Sequence, residues 1–255
     1  VTFGTGYLDY WTFGTEASRG NSMKILAVIP CRKNSSRVPG KNTMMIAGKP
    51  CLRWTLEHVA ACSYQPDVVV VSDDPEAQVI TEAGGALWLE EPVHLAREFD
   101  LFKVLEFVVG ETDGEYDCVL LAYANTPIRP SRIFDRMIEH LVATRAQMVN
   151  VLTQPQDHPY RMRHSDYRSR IHNFCLGNMR IPSQEFPVVY METAVGWVYR
   201  TTALQQIFAD RTSLDGMEHR GIICGYDEVV EIDDQRDVDW AEFLLHRRQT
   251  NVDLC

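Results

Sequence analysis

Four cations, Arg32, Lys33, Arg37 and Lys41, fall within ten residues, interleaved with the hydroxyls of Ser35 and Ser36 and closed by Asn42. An arginine offers phosphate oxygens a planar fork and a lysine offers a mobile point charge. Two or three such groups, with serine hydroxyls and backbone N–H groups, can hold a triphosphate. The cluster needs an element that delivers it to one place. The uncharged run from Ile25 to Ile29 suits a strand buried on both faces, and Pro30, Pro39 and Gly40 then impose a bent, non-helical path. A loop at the end of a parallel-sheet strand opens into a ligand crevice. Neither G-x-x-x-x-G-K-[ST] nor G-x-G-x-x-G is present, so the loop belongs to neither familiar phosphate-binding type. A solvated basic turn is the competing reading of the same residues.

Two groups of carboxylates accompany the loop. Ser72, Asp73, Asp74, Pro75 and Glu76 follow the apolar run Asp67 to Ser72, which reads as the clearest buried strand. Hard oxygens at a strand's carboxyl end suit Mg²⁺, which keeps several waters while bridging substrate phosphates. The same Asp-Asp-Pro also reads as a helix cap and turn. Glu231 and Asp233 lie far downstream, and alternation along a strand puts both on one face, as two metal-ligating carboxylates require. The competing reading is an acidic strand end with Asp234 as a helix cap.

Around these groups, strand-like and helix-period segments alternate, which predicts an α/β fold with a mainly parallel sheet and helices on both faces. Strands are expected at 25–29, 67–72, 86–89, 117–123, 147–153, 194–200, 220–224 and 229–232. Helices are expected after Pro50, over 75–83, around 99–109, from a Ser131 cap to 144, after strand 194–200, and over 235–248. Residues 154–192 change character, rich in Pro, His, Arg, Tyr and Gln, and read as an inserted arm carrying His158 and His164 among Arg161, Arg163, Arg168 and Arg170. The arm's charges read as solvated or as part of an interface. Met23 reads as the start, with residues 1–22 a poorly ordered or adventitious extension and 23–250 one catalytic domain.

Bulk properties narrow the class. The chain has 255 residues, is 45% hydrophobic and carries a net charge of −10, which argues against nucleic-acid or anionic-membrane partners and makes the basic loop stand out. Seven scattered cysteines without a C-x-x-C pair indicate neither a disulfide framework nor a zinc site, and a reducing, cytoplasmic setting is expected. No apolar run approaches the ~18 residues of a membrane span. Cys31 reads as a small buried hydrophobe, and Trp54, Trp197 and Trp240 as core.

Residues 29–42 resemble the signature of the acylneuraminate (CMP-sialic acid) cytidylyltransferases, I-P-A-R-x-x-S-K-x-x-x-x-K-N, at Arg32, Ser35, Lys41 and Asn42. Cys31 replaces the usual Ala and Ser36 the usual Lys, with Arg37 placed to compensate. Residues 35–41 are closer to the S-T-R-L-P-G-K of the 3-deoxy-manno-octulosonate cytidylyltransferases. Ser72 and Asp73 resemble the family's V-S-T-D, and residues 231–242 its D-I-D-x-x-x-D-x-x-x-A-E ending. Thr126, Pro127 and Arg129 match its L-L-Q-P-T-S-P-L-R, although Tyr123 stands in place of Gln. From Gln184 through Tyr190 the spacing follows a segment that ends in Asn-Gly, where this chain has Thr193 and Ala194; Glu91 falls where family members commonly carry Arg beside the nucleotide.

The resemblance, which spans most of residues 24–245, implies a Rossmann-like nucleotide-diphospho-sugar transferase fold and a cytidylyltransferase that joins CTP to a 2-keto-3-deoxy sugar acid of the nonulosonic type. It further implies nucleotide contacts from Arg32, Ser35, Ser36, Arg37, Lys41 and Asn42, with Arg32, Lys41, Asp73 and Asp233 central to catalysis. Mg²⁺ would be held by Asp73, Glu231 and Asp233. Sugar contacts would come from Tyr123, Thr126, Arg129, Gln184, Tyr190 and Thr193, and the arm would serve a homodimer or the sugar. Three alternatives remain on these residues: an octulosonate cytidylyltransferase, a glycosyltransferase that consumes a nucleotide sugar, and a non-catalytic nucleotide-binding relative.

Overall fold

The structure, a computed structural model, describes residues 23–33, 38–98, 100–175, 182–210, 214 and 216–252, the last four of these without side chains. The calls on residues 1–22 and on Ser35, Ser36 and Arg37 lie outside the described residues. The strands are β1 (Ile25–Pro30), β2 (Met45–Ile46), β3 (Lys49–Pro50), β4 (Asp67–Ser72), β5 (Leu87–Glu90), β6 (Cys118–Ala122), β7 (Met148–Thr153), β8 (Arg163–Ser165), β9 (Ile171–Asn173), β10 (Met191–Arg200) and β11 (His219–Ile223). The helices are α1 (Cys51–Ala60), α2 (Pro75–Ala83), α3 (Val93–Glu98), α4 (Leu101–Glu111), α5 (Ile133–Thr144), α6 (Thr201–Asp210) and α7 (Gln235–Val252).

Strand β1 is apolar at every position and leaves no face for water, so it takes the middle of the sheet. It pairs in parallel with β4 on one side and β6 on the other, within a seven-stranded order β11-β7-β10-β6-β1-β4-β5. Only β10 runs antiparallel to its neighbours, so the expected mainly parallel sheet holds. Leu52, Leu56 and Val59 of α1, Ala77 of α2 and the apolar side of α5 cover one face. Leu95 of α3, Val104, Leu105 and Val108 of α4, and Leu204 and Ile207 of α6 cover the other. A third cluster, with Ile46, Cys51, Ile128, Val230 and Ile232, seats α7 through Val238, Ala241 and Leu245.

Strand β10 closes tightly on β6 at Gly196. Its φ is +146°, and a Cβ there would lie 2.2 Å from the carbonyl oxygen of Leu121, so only glycine fits the ladder. The arm folds as the small β8–β9 hairpin with single 3₁₀ turns at Pro159–Arg161 and Ser183–Glu185. His158, His164, Arg161, Arg163, Arg168 and Arg170 are exposed or half-exposed.

Three local expectations are corrected, and one helix is added. Helix α5 begins at Ile133 behind a left-handed Arg132 with no side-chain cap, so Ser131 does not cap it. The buried Asp135 does the local work instead: it accepts from Ser63 N (2.8 Å), Ser63 Oγ (3.1 Å), Cys62 Sγ (3.1 Å) and Arg132 Nε (3.2 Å), tying α5 to the end of α1. The expected strand at 229–232 shrinks to one antiparallel bridge, Ile128 with Val230. Helix α3 was not foreseen; it starts at Pro92, whose carbonyl takes the Leu95 and Ala96 N–H groups. Trp197 is core, but Trp240 is 39% exposed, its ring stacked on Phe243 along the outer side of α7.

Candidate active site

The crevice lies beyond the carboxyl ends of β1 and β4. Ser72 at the end of β4 donates to the Cys31 carbonyl and accepts from Asp74 N at 3.0 Å, joining the two strand ends through one buried hydroxyl. Asp73 then accepts from Lys33 N at 2.7 Å through Oδ1, so the carboxylate fixes the start of the loop. Asp74 is the cap, accepting from Glu76 N at 3.1 Å with Pro75 at the first helical position. The two readings of the acidic triplet therefore divide between adjacent residues: Asp74 caps α2, and Asp73 faces the loop.

Asn42 donates from Nδ2 to the Arg32 carbonyl at 3.0 Å and bends the loop back on itself. Arg32 points to the β5 side, with Nε on Glu91 Oε1 at 3.0 Å and NH2 on the Leu95 carbonyl at 3.2 Å. Lys41 reaches across the molecule to the segment before α7. Its Nζ lies 2.9 Å from Asp233 Oδ1 and 3.1 Å from the Ile232 carbonyl. A cleft of about 400 Å³ lined by Lys33, Gly40, Thr43, Asp74 and Glu76 opens beside the loop, within the size range of small-ligand sites.

Fully buried Ile232 separates Glu231 from Asp233, and both of these acidic residues are half-buried, outside any strand. Their partners differ. Glu231 Oε1 accepts from Asn125 Nδ2 at 3.2 Å, whereas Asp233 meets Lys41. The start of α7 is a reciprocal cap: Asp237 accepts from Asp233 N and Asp234 N, both at 2.8 Å, and Asp234 accepts from Arg236 N at 2.7 Å and Asp237 N at 3.2 Å. Among the described residues no three His, Cys, Asp or Glu side chains gather into a metal cage, so Asp73, Glu231 and Asp233 do not form one ligand set. One or two carboxylates with hard oxygens beside a basic loop fit Mg²⁺, which is rarely held by an all-protein cage.

Two of the expected sugar residues are corrected. Arg129 is 2% exposed and donates to the carbonyls of Tyr123, Thr126 and Val195 and to Thr55 Oγ1. Burial lowers its guanidinium to about 9. Thr126 is fully buried and donates to the Ala194 carbonyl at 2.6 Å. Both brace the β6–α5 turn against β10 and leave nothing for a sugar. Thr193 donates to the Val151 carbonyl at 2.9 Å, linking β10 to β7. Tyr123 is half-buried; burial, then the charges of Glu231 and Glu192, raise its phenol to about 12. Gln184 and Tyr190 are exposed on the arm. Sequence reasoning missed Asn125, which also donates to the Ile232 carbonyl at 3.1 Å and accepts from Ile232 N at 2.8 Å. It stands between Tyr123 and Thr126 in a segment already quoted, but only the fold shows that it holds the Glu231–Asp233 stretch.

Comparison with known proteins bears on the family and the fold. A family profile described as Cytidylyltransferase matches residues 26–168. The chain is 32% identical over 134 residues to a CMP-N,N'-diacetyllegionaminic acid synthase of Legionella pneumophila, covering 51% of this chain and 58% of that protein. It is 31% identical over 130 residues to a 3-deoxy-manno-octulosonate cytidylyltransferase of Vibrio vulnificus, covering 51% and 50%. The matched region is thus about half the length of these curated relatives. A solved structure of CMP:2-keto-3-deoxy-manno-octonic acid synthetase complexed with CTP superposes with a TM-score of 0.70 at 16% identity, over 88% of this chain and 99% of that one, a likeness of fold.

Proposed function

The chain belongs to the cytidylyltransferase family, and from that premise we propose that it couples CTP to a 2-keto-3-deoxy sugar acid, releasing pyrophosphate and a CMP-sugar. The observation that carries this reading is the meeting of the loop with acidic residues from two distant parts of the chain. Asp73 fixes the loop at Lys33, and Asp233 meets Lys41. In the reaction the anomeric hydroxyl oxygen forms a bond to the α-phosphorus as the bond to the bridging oxygen of pyrophosphate breaks. Such a displacement needs little covalent help, so positioning and charge neutralisation supply most of the barrier reduction. Arg32 and Lys41 bind the phosphates in this reading, and Asp73 with Asp233 would hold Mg²⁺. The bound ion would neutralise phosphate charge and lower the attacking hydroxyl's pKa. The hydroxyl proton passes to solvent, no side chain among the described residues being placed as its dedicated base.

The relatives named for legionaminate and octulosonate products support an eight- or nine-carbon acid, with the nonulosonic class preferred here. Tyr123, Thr193 and Ala194 depart from the sialic-acid pattern, so N-acetylneuraminate is not the favoured member of that class. We further assign a homodimer, formed through the arm, in the cytoplasm; no described helix is long and apolar enough to cross a membrane. The test is pyrophosphate release from each of the four common nucleoside triphosphates with Mg²⁺ and a panel of nonulosonic and octulosonic acids. Release that requires both CTP and one acid supports the reading. A glycosyltransferase or a binding-only relative would release none.

A further inference from the structure

We propose that Glu91 is a positioning residue for polyphosphate binding: it grips Arg32 from the β5 side and sets that guanidinium at the crevice, a claim that rests on the nucleotide reading of the loop. Glu91 is the first residue after β5, and its N–H donates to the Ser72 carbonyl at 2.9 Å, which pins it beside the strand end that carries Asp73. Its side chain is almost wholly enclosed. Oε1 accepts from Arg32 Nε at 3.0 Å, while the same guanidinium donates through NH2 to the Leu95 carbonyl of α3 at 3.2 Å. Two elements, the end of β5 and α3, therefore both hold this loop arginine.

The geometry is a poor one for stability alone. A buried carboxylate repays its desolvation only when both oxygens are well bonded, and Oε2 of Glu91 is buried with no donor among the described residues. Burial pushes the Glu91 carboxyl above its ordinary range against the pull of Arg32, and Asp73 adds to the rise. A buried group left half-satisfied calls for an explanation. Here the reason is orientation. One Nε bond directs the guanidinium, and the orphan Oε2 offers it a second docking point when a ligand draws its outer edge away from the Leu95 carbonyl.

If Glu91 acts through Arg32, its removal matters only while Arg32 is present, the signature of a non-additive pair. The test is a calorimetric cycle of wild type, Glu91→Gln, Arg32→Ala and the double variant, titrated without metal with CTP and, separately, with inorganic tripolyphosphate. Loss of one charge-assisted contact predicts that Glu91→Gln weakens tripolyphosphate about tenfold in the wild-type background, but less than about twofold when Arg32 is already Ala. An equal loss in both backgrounds, or wild-type affinity in Glu91→Gln, would overturn the assignment. Should Glu91→Gln fail to fold, Glu91→Asp keeps the charge and withdraws it from Nε; the same non-additive loss is expected, and the same two outcomes contradict it. Wild-type protein that binds tripolyphosphate but not CTP would overturn the cytidylyltransferase reading, while the four-protein tripolyphosphate cycle still decides the role of Glu91.

Discussion

Neutralising Asp233 and truncating Lys41 should have opposite effects on metal-free CTP binding, although the two side chains form one ion pair. Nζ and Oδ1 are 2.9 Å apart, and the side chains are 15% and 28% exposed. A pair this accessible is worth about 0.5–1 kcal/mol, and a triphosphate that recruits Lys41 must first overcome it. Asp233→Asn removes that competition at nearly constant shape, so affinity measured in chelator should rise roughly two- to fivefold. Lys41→Ala removes a charge-assisted contact of roughly 1.5–3 kcal/mol, so after crediting the lost pair about 0.5–2.5 kcal/mol remains and affinity should fall about two- to seventyfold. Turnover separates the variants again: with Mg²⁺ restored, Asp233→Asn should lose at least about tenfold in pyrophosphate release, because a hard anionic ligand has gone. Titration calorimetry in chelator followed by a pyrophosphate assay in Mg²⁺ reads both effects. If Asp233→Asn weakens metal-free CTP as much as Lys41→Ala does, the pair is a structural clasp and the phosphate assignment of Lys41 fails.

Asp73→Asn should lower Mg²⁺-dependent turnover at least about tenfold with little change in melting temperature; full activity after chelation would show that Asp73 only ties the loop at Lys33. Gly196→Ala should destabilise the fold by about 3 kcal/mol or more in a denaturant melt, since its Cβ would lie 2.2 Å from a backbone oxygen at φ +146°; an unchanged midpoint would contradict the tight β6–β10 closure. Burial alone would raise the Asp135 carboxyl, but bonds from Cys62, Ser63 and Arg132 outweigh it and lower the folded value. Its stabilising effect is therefore complete above the unfolded pKa of about 3.9 and is lost as pH falls through the lower folded value. Asp135→Asn should cost roughly 1.5–3 kcal/mol at neutral pH, a gap that narrows below about pH 3.9, and a pH-independent gap would refute this. N-acetylneuraminate should show a lower kcat/KM than at least one other 2-keto-3-deoxy acid; equal or better use of it would mean that Tyr123, Thr193 and Ala194 are compensated within the pocket.

The loop and its two acidic partners were legible because each follows a local pattern. The unbroken apolar run of β1 could only be a central strand, and Asp67 to Ser72 was equally plain. What sequence could not supply was which polar group would be enclosed. The resemblance offers Arg129 as a sugar contact, yet three carbonyls, two from the turn after β6 and one from β10, converge on it and bury it. The link from Lys41 to Asp233 spans 192 residues and exists only once α7 is seated on Ile232 and Val230. Glu91 falls where the family commonly carries Arg, and only the end of β5 shows that it meets Arg32. Ser131 failed as a cap because Arg132 turns left-handed and Asp135 takes up bonds from the neighbouring α1 end, a choice made by packing rather than by local propensity.

The most direct test follows one oxygen atom. A 2-keto-3-deoxy sugar acid that turns over, labelled with ¹⁸O at its anomeric hydroxyl, is incubated with CTP, Mg²⁺ and the purified chain, and the CMP-sugar is analysed by mass spectrometry and ³¹P NMR. Attack by the sugar on the α-phosphorus predicts that the label is retained in the bridge between the sugar and CMP, with one pyrophosphate released per product. Unlabelled product, or no CMP-sugar from any acid in the panel, would contradict the account.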